Sequence, residues 1–330
     1  MRAAVRTGYG GPDVLHLAEL PTPEPGPGEV RVRVRATSVT YGDLTARDFP
    51  GVGPDRFNMP APLFYAARLQ FGWSRPRNPV LGSEYAGEVD AVGTGVTAFA
   101  PGDRVLGYRG PRMGAYAEYL VEKADGMIAR LADGIAFEDA AVLPYGGTTA
   151  LALLDAVDLR AGEHVLIVGA SGSIGMAAVQ IASDRGAHVV GVAGPRNQAW
   201  VRALGAEEVL DHTRDDPSAG GPRYELVFDV RGRLGFARAR RVLTPHGRYL
   251  PVSFKLPLLV DALRTRRAQG PRVRIVLAPE RPDDMRTVAR MIAEGSLRAH
   301  RDRTWELAEA AEAHRYAESG AKSGQVALRV

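Results

Sequence analysis

The stretch Val165-Leu-Ile-Val-Gly-Ala-Ser-Gly-Ser-Ile-Gly-Met-Ala-Ala-Val-Gln-Ile-Ala182 constrains the fold of this chain more than any other. It reads as an apolar strand, a glycine-rich turn and a helix with small residues (Gly175, Ala178, Ala182) on one face. A second strand pattern, His188–Ala193, follows. Together they make a β-α-β unit of roughly 30 residues, which requires a parallel sheet. The first turn of such a helix presents unpaired N–H groups and the positive end of the helix dipole, a setting that suits a pyrophosphate. Ala170-x-Gly172-x-x-Gly175 keeps the spacing of a dinucleotide-binding turn, with Ala for the first Gly. Ala170, Ser171, Gly172, Ser173, Ile174 and Gly175 are the expected phosphate contacts; an ordinary structural turn is the alternative.

The end of the second strand bears on which dinucleotide. An NAD site places a carboxylate there to bond the ribose hydroxyls. Here the strand ends Val192-Ala193-Gly194-Pro195-Arg196, and no acid appears before Glu207. Arg196 would attract a 2′-phosphate, which points to NADPH. The alternative is that Arg196 opens the next helix in solvent.

The 330 residues suffice for two domains, and 45% hydrophobic with 24% charged residues is ordinary for a globular protein. The net charge is +4, carried by Arg with only three Lys, and no basic run marks a nucleic-acid surface. There is no Cys, so disulfides, thiolate nucleophiles and Cys-bound metals are excluded. No signal-peptide pattern opens the sequence and no run of about 20 apolar residues occurs, so a cytoplasmic protein is expected.

Residues 1 to about 124 read as β-rich. Glu29–Ala36 alternates apolar and charged residues, and strands are expected at 85–92, 103–107 and 114–121. From 125 to about 280 strand and helix alternate, with strands expected at 164–168, 188–193, 208–210, 226–229, 247–252 and 273–277. Helices at 284–294 and 307–318 and a strand at 325–330 complete the chain.

Leu81-Gly-Ser-Glu-Tyr-Ala-Gly-Glu-Val89, Pro101-Gly-Asp-Arg-Val-Leu-Gly107, Gly114–Tyr119, Leu143-Pro-Tyr-Gly-Gly-Thr-Thr-Ala150, the glycine turn and Leu204-Gly-Ala206 occur in one order across nearly the whole chain. In this the chain resembles the medium-chain dehydrogenase/reductase superfamily, in its zinc-independent quinone oxidoreductase branch. The resemblance implies an α/β protein of two domains. A GroES-like β-rich catalytic domain would comprise 1–124 and 284–330. A Rossmann domain with a doubly wound parallel sheet, residues 125–283, would be inserted between those halves, with the active-site cleft between the two domains and a homodimer edge near 273–277. Zinc-dependent members carry a His after the Gly of the motif written here as Gly82-Ser83-Glu84. With Ser83 there, no Cys, and seven scattered His, no metal site is expected. Without a metal, hydride transfer to a conjugated acceptor is the easier chemistry.

The resemblance also nominates further residues. Thr148 and Thr149 match positions near the nicotinamide and its phosphates, with helix capping as the alternative. His212 lies where relatives often have Tyr near the adenine, or is a surface loop residue. Thr40 and Tyr41 could bond a substrate oxygen, although Tyr41 could instead be a packed aromatic. Asp43 and Arg47, four apart, are expected to pair along a helix. Arg231 follows Phe228-Asp229-Val230 where relatives have a small or apolar residue and Gly, and could clamp a phosphate, reach an acidic substrate or point away. The segment 49–78 is long and aromatic, with an amphipathic helix expected over 61–71: either a lid for a bulky hydrophobic small-molecule substrate or a helix packed on its own domain or on a partner subunit. The resulting expectation is an NADPH-dependent reductase of quinones or α,β-unsaturated carbonyl compounds. The alternatives are a biosynthetic reductase of an enoyl thioester or pathway intermediate, and a non-catalytic NADPH-binding sensor or structural protein. No nucleic-acid or membrane partner is expected.

Overall fold

A computed structural model describes all residues, Met1–Val330. The chain divides into two compact units, one of residues 1–56, 64–148 and 280–330, the other of 57–63 and 149–279. The sequence reading drew its boundaries at 124/125 and 283/284. Residues 125–148 instead pack with the first unit, where Ile128–Arg130 adds a strand. Residues 57–63 group with the second unit, where the Phe254 N–H donates to Asn58 O and Lys255 Nζ to Phe57 O.

The first unit is built on a seven-stranded sheet. Its order is Arg301–Glu306, Gln325–Arg329, Glu29–Ser38, Glu84–Val92, Arg104–Tyr108 and Ile128–Arg130, with Tyr119–Lys123 also pairing with Glu29–Ser38. The alternation of Glu29–Ser38 sends Val30, Val32 and Val34 into the core. Arg31 and Arg35 face outward and pair with Asp90 and Glu88. The last residues of this strand, Thr37 and Ser38, are buried polar groups that lead into the site described below. A two-stranded sheet, Arg2–Arg6 with Leu15–Glu19, packs a second core cluster together with Leu81 and Tyr116.

The second unit is a six-stranded sheet, parallel throughout, ordered Glu208–Asp211, His188–Ala193, His164–Val168, Tyr224–Asp229, Leu243–Pro251 and Arg272–Val273. Numbered along the chain this is 3-2-1-4-5-6, the doubly wound order. In sheets of this order a ligand crevice is expected at the carboxyl ends of the strands where the order reverses. The glycine turn leaves His164–Val168 at that point, as the β-α-β pattern requires.

Several elements differ from expectation. Only Arg272–Val273 of the expected 273–277 strand pairs. The strand expected at 114–121 is observed as Tyr119–Lys123, because Gly114, Ala115 and Tyr116 fold back to donate to the carbonyls of Leu81 and Gly82. The strand Arg301–Glu306 and the helices Phe49–Arg56 and Leu256–Thr265 were not foreseen. No helix is long and apolar enough to cross a membrane.

Candidate active site

In the second unit the turn after Val168 is shaped by two glycines with different tasks. Gly169 adopts φ +89°, left-handed backbone that L side chains avoid. Gly175 sits where a Cβ would lie 2.1 Å from Gly169 O, so only Gly lets the helix Ser173–Asp184 start so close to the strand. Gly172 is different: a Cβ there would meet nothing nearer than 3.5 Å. Its bareness serves space outside the protein, the place where a phosphate would approach. Gly172 is the N-cap of this helix and no side chain caps it. The Ser173 hydroxyl is buried without any partner in the chain. An uncapped helix start beside an orphaned hydroxyl fits the pyrophosphate of a dinucleotide. Ala170, Ile174, Gly175 and the Ser173 hydroxyl are buried, so Ser171, Gly172 and the backbone of Ser173 form the reachable part of the turn.

Around this cradle, the Cγ of exposed Arg231 comes within 3.1 Å of where a Gly169 Cβ would be, so its chain lies across the turn. The neighbouring Asp229 is fully buried and accepts from the Leu234 N–H at 2.9 Å and the Tyr249 hydroxyl at 2.9 Å, which commits it to the fold. At the end of the second strand Gly194 is flanked by the His212 ring, with Nε2 3.3 Å from its Cβ position. Arg196 follows, exposed, in the turn Pro195–Asn197. Asp211, across from Ala193, binds the Thr213 N–H and hydroxyl at 2.9 and 2.8 Å. Gly194, Arg196 and His212 therefore share one rim.

The other candidate residues belong to the first unit. Thr40 is the N-cap of the helix Tyr41–Arg47, in a reciprocal capping box. Its hydroxyl donates to Asp43 Oδ2 at 2.6 Å and accepts from the Asp43 N–H at 3.1 Å. The Thr40 proton is thus committed to Asp43, which leaves this hydroxyl no donor for a substrate. Asp43 does not pair with Arg47: its Oδ1 accepts the Gly82 N–H at 3.1 Å, while Arg47 binds Glu318 at 2.6 Å and His314 Nδ1 at 3.0 Å. Burial pushes the Asp43 carboxyl up to about 6, against the pull of these hydrogen bonds. Ser83 lies 3.4 Å from the Thr40 hydroxyl.

Glu84, next along, is buried, accepts the Tyr145 N–H at 2.6 Å and takes the Ser38 hydroxyl proton. Burial, with Asp43 adding, pushes its carboxyl up to about 8. Tyr145 begins the helix Pro144–Ala156 that carries Thr148 and Thr149. The buried Thr148 hydroxyl donates back to Pro144 O at 2.7 Å, so it neither caps the helix nor points away from it. Tyr41 is 61% exposed and lines an open depression of about 230 Å³ with Leu44, Val52 and Arg56.

Sequence reasoning missed Glu84 and Tyr145 as site residues. Their signals were present: Glu84 follows Ser83 in a quoted motif, and Tyr145 precedes Thr148 by one helical turn. The 61–71 helix forms as expected. Within the first unit Phe64 stacks on Phe49 at 5.0 Å, Phe71 packs tilted against it at 5.1 Å, and the Tyr9 hydroxyl donates to Phe71 O at 2.9 Å. Phe64 and Phe71 therefore pack within the first unit, while Leu63, Tyr65, Leu69 and Trp73 stay exposed.

The donor set does not fit zinc. Around Ser83 stand hydroxyls and two carboxylates whose oxygens already accept N–H or O–H groups, and no cluster of three His, Cys, Asp or Glu forms.

Comparison with known proteins agrees with this geometry. The family profile for the alcohol dehydrogenase GroES-like domain matches residues 26–133, and that described as zinc-binding dehydrogenase matches 204–328. The quinone oxidoreductase of Pseudomonas aeruginosa is 38% identical over 182 residues, 53% of this chain and 55% of that protein. Erythronolide synthase of Saccharopolyspora erythraea is 47% identical over 134 residues, 40% of this chain. The chain thus spans about half the length of that quinone oxidoreductase and 4% of that synthase. Among solved structures, the quinone oxidoreductase of Coxiella burnetii superposes with a TM-score of 0.83 at 26% identity, covering 100% of this chain and 99% of that one. An NAD-dependent alcohol dehydrogenase gives 0.81 at 31% identity with 100% of both chains covered. Fold, motif order and these likenesses agree: the chain belongs to the medium-chain dehydrogenase/reductase superfamily, in its quinone oxidoreductase-like branch.

Proposed function

We propose that the chain is a zinc-independent, NADPH-dependent reductase that passes hydride to a quinone or an α,β-unsaturated carbonyl compound. The observation that carries this reading is the cradle at Ser171–Ser173: a helix start without a cap, a Gly172 that internal packing does not require, and a Ser173 hydroxyl without a partner. Bound there, the nicotinamide cofactor supplies the hydride. Ser171, Gly172, Ser173 and Arg231 hold the pyrophosphate, and Gly194, Arg196 and His212 line the adenosine end. NADPH is favoured over NADH because no carboxylate ends the second strand and Arg196 stands exposed beyond it. By the resemblance, Thr149 is assigned to the nicotinamide and Tyr41 to the substrate. With Ser83 where zinc-dependent relatives carry a His and no Cys in the chain, the protein's contribution is orientation and hydrogen bonding to a developing oxyanion. A homodimer through the edge strand Arg272–Val273 is part of this reading, supported by exposed Leu256, Val260, Leu263 and Leu277.

A second reading, reduction of a biosynthetic enoyl thioester, is favoured by the matches to polyketide synthases, including pikromycin synthase of Streptomyces venezuelae at 34% identity over 269 residues. Oxidation of NADPH and NADH by quinones, enones, enoyl thioesters and saturated aldehydes tests both. Faster turnover with NADH, or turnover of saturated aldehydes alone, refutes the first reading; exclusive turnover of thioesters selects the second.

A further inference from the structure

We propose that Tyr145 is a catalytic hydrogen-bond donor: its phenol O–H binds the substrate oxygen on which negative charge develops as hydride arrives, with Tyr41 as a second donor. This rests on the reductase reading above and names the group that reading leaves open.

Several alternative hydroxyls nearby are already spent, whereas those of Tyr108 and Thr149, like that of Tyr145, make no hydrogen bond within the chain. Thr40 gives its proton to Asp43, Ser38 to Glu84 and Thr148 to Pro144 O. Tyr116 donates to Ser38 O at 3.3 Å and meets His314 Nε2 at 3.0 Å. The Tyr145 hydroxyl has no partner in the chain. It is also absent from the sealed, unpartnered phenols, which are those of Tyr85 and Tyr224, so solvent or a ligand reaches it.

The residue is held firmly behind that free hydroxyl. Its N–H is fixed by Glu84 Oε1 at 2.6 Å, and its ring packs on Tyr108 with centroids 5.4 Å apart at 30°. It sits one turn before Thr148, on the same helix face. Burial first, then the acidity of Glu84 and the nearby Tyr41, pushes its phenol up to about 12. It therefore remains a neutral donor throughout the physiological range and never competes as an anion. A donor held before the reaction starts stabilises the oxyanion without reorganising.

The step balances as follows. Hydride and its electron pair from the cofactor form a C–H bond at the β-carbon. The C=C pair shifts to a new C=C with the carbonyl carbon, and the carbonyl π pair moves onto oxygen, where the Tyr145 O–H donates. Water then protonates the α-carbon and the C=O re-forms.

The test is Tyr145→Phe, which removes one oxygen atom. But-3-en-2-one and NADPH provide the turnover assay, nicotinamide fluorescence gives the NADPH Kd, and thermal melting reports the fold. A second arm titrates 4-nitrophenolate, a conjugated oxyanion, in the presence of NADP⁺. Expected is a kcat lower by about 100-fold with NADPH Kd and Tm unchanged, and 4-nitrophenolate bound about tenfold more weakly. Equal kcat in variant and wild type overturns the proposal. If the wild type reduces no acceptor yet binds 4-nitrophenolate through Tyr145, the donor assignment stands and the reductase reading falls. Absence of Tyr145-dependent binding together with absence of Tyr145-dependent turnover overturns the assignment itself.

Discussion

Gly172 and Gly175 lie three residues apart in one turn, yet their replacement by Ala should fail in opposite ways. At Gly175 the new methyl would stand 2.1 Å from Gly169 O and 2.8 Å from Ala170 Cα, both backbone atoms that cannot rotate away. The helix start must move by roughly 1 Å to restore contact distance. Overpacking of this kind costs about 1–3 kcal/mol, and the better helix propensity of Ala returns up to about 1 kcal/mol. A net loss of about 1–2 kcal/mol lowers Tm by roughly 1–3 °C in a protein of 330 residues. At Gly172 the methyl meets only Gly169 O, at an ordinary 3.5 Å, and the φ of −80° suits Ala. The fold then loses only the N-cap preference, about 0.5 kcal/mol. The methyl instead occupies the approach of the phosphate, and losing one charge-assisted hydrogen bond weakens NADPH by about 10- to 100-fold. Thermal melting and fluorescence titration of both variants decide the matter. NADPH binding by Gly172→Ala equal to wild type, or an unchanged Tm in Gly175→Ala, would refute this division of labour.

Arg196→Ser should raise the KM for NADPH about tenfold or more and leave that for NADH unchanged, as steady-state kinetics with both cofactors will show; parallel changes would remove Arg196 from the 2′-phosphate. Thr40→Ala removes an N-cap hydroxyl and one of the donors to Asp43, and should cost about 1 kcal/mol in urea unfolding. His314 is buried against Arg47 and Tyr116, and burial pushes it down to about 3 from 6.5. The unfolded chain therefore takes up this proton first, so the stabilisation is present above pH 6.5 and is lost as pH falls toward 3. Between pH 6.5 and 5 that loss is about 2 kcal/mol. Glu84, pushed up to about 8, contributes the opposite slope between 4.5 and 8. The unfolding free energies of wild type and His314→Phe, measured across pH 6.5 to 5, should converge by that amount as pH falls; parallel curves would refute the assignment.

The second unit was legible because its signals are local. A strand of Val, Leu and Ile, a turn with fixed glycine spacing and a small-residue helix encode a β-α-β unit within eighteen residues, and the structure repeats the pattern with the doubly wound order. The strand Arg301–Glu306 was not legible. Of its residues only Trp305 is large and apolar, because it is the edge of its sheet and mostly faces solvent, so no alternation marks it. The partnership expected of Asp43 and Arg47 failed for a related reason. Spacing of four places two residues on one helix face, but the capping box drew Asp43 back onto Thr40, and chain remote in sequence, at His314 and Glu318, captured Arg47. Local spacing cannot register competitors brought from nearly 270 residues away.

Asp43 and Glu84 carry this point into the chemistry. Two carboxylates buried side by side, with no ion pair to a cation, are costly unless every oxygen finds a donor. Here Asp43 takes the N–H groups of Thr40 and Gly82 and the Thr40 hydroxyl, and Glu84 takes the Tyr145 N–H and the Ser38 hydroxyl. The pair therefore acts on three backbone segments at once: the end of the Glu29–Ser38 strand, the Gly82–Ser83 turn and the start of the Pro144–Ala156 helix. Such a network spends its hydroxyls on holding its own shape. Among the groups it positions but does not bind are the unpartnered phenols of exposed Tyr41 and half-buried Tyr145. Replacing Glu84 by Gln, which keeps an acceptor for the Tyr145 N–H, should therefore preserve turnover far better than Glu84→Ala, which releases the helix start on which Tyr145 is carried.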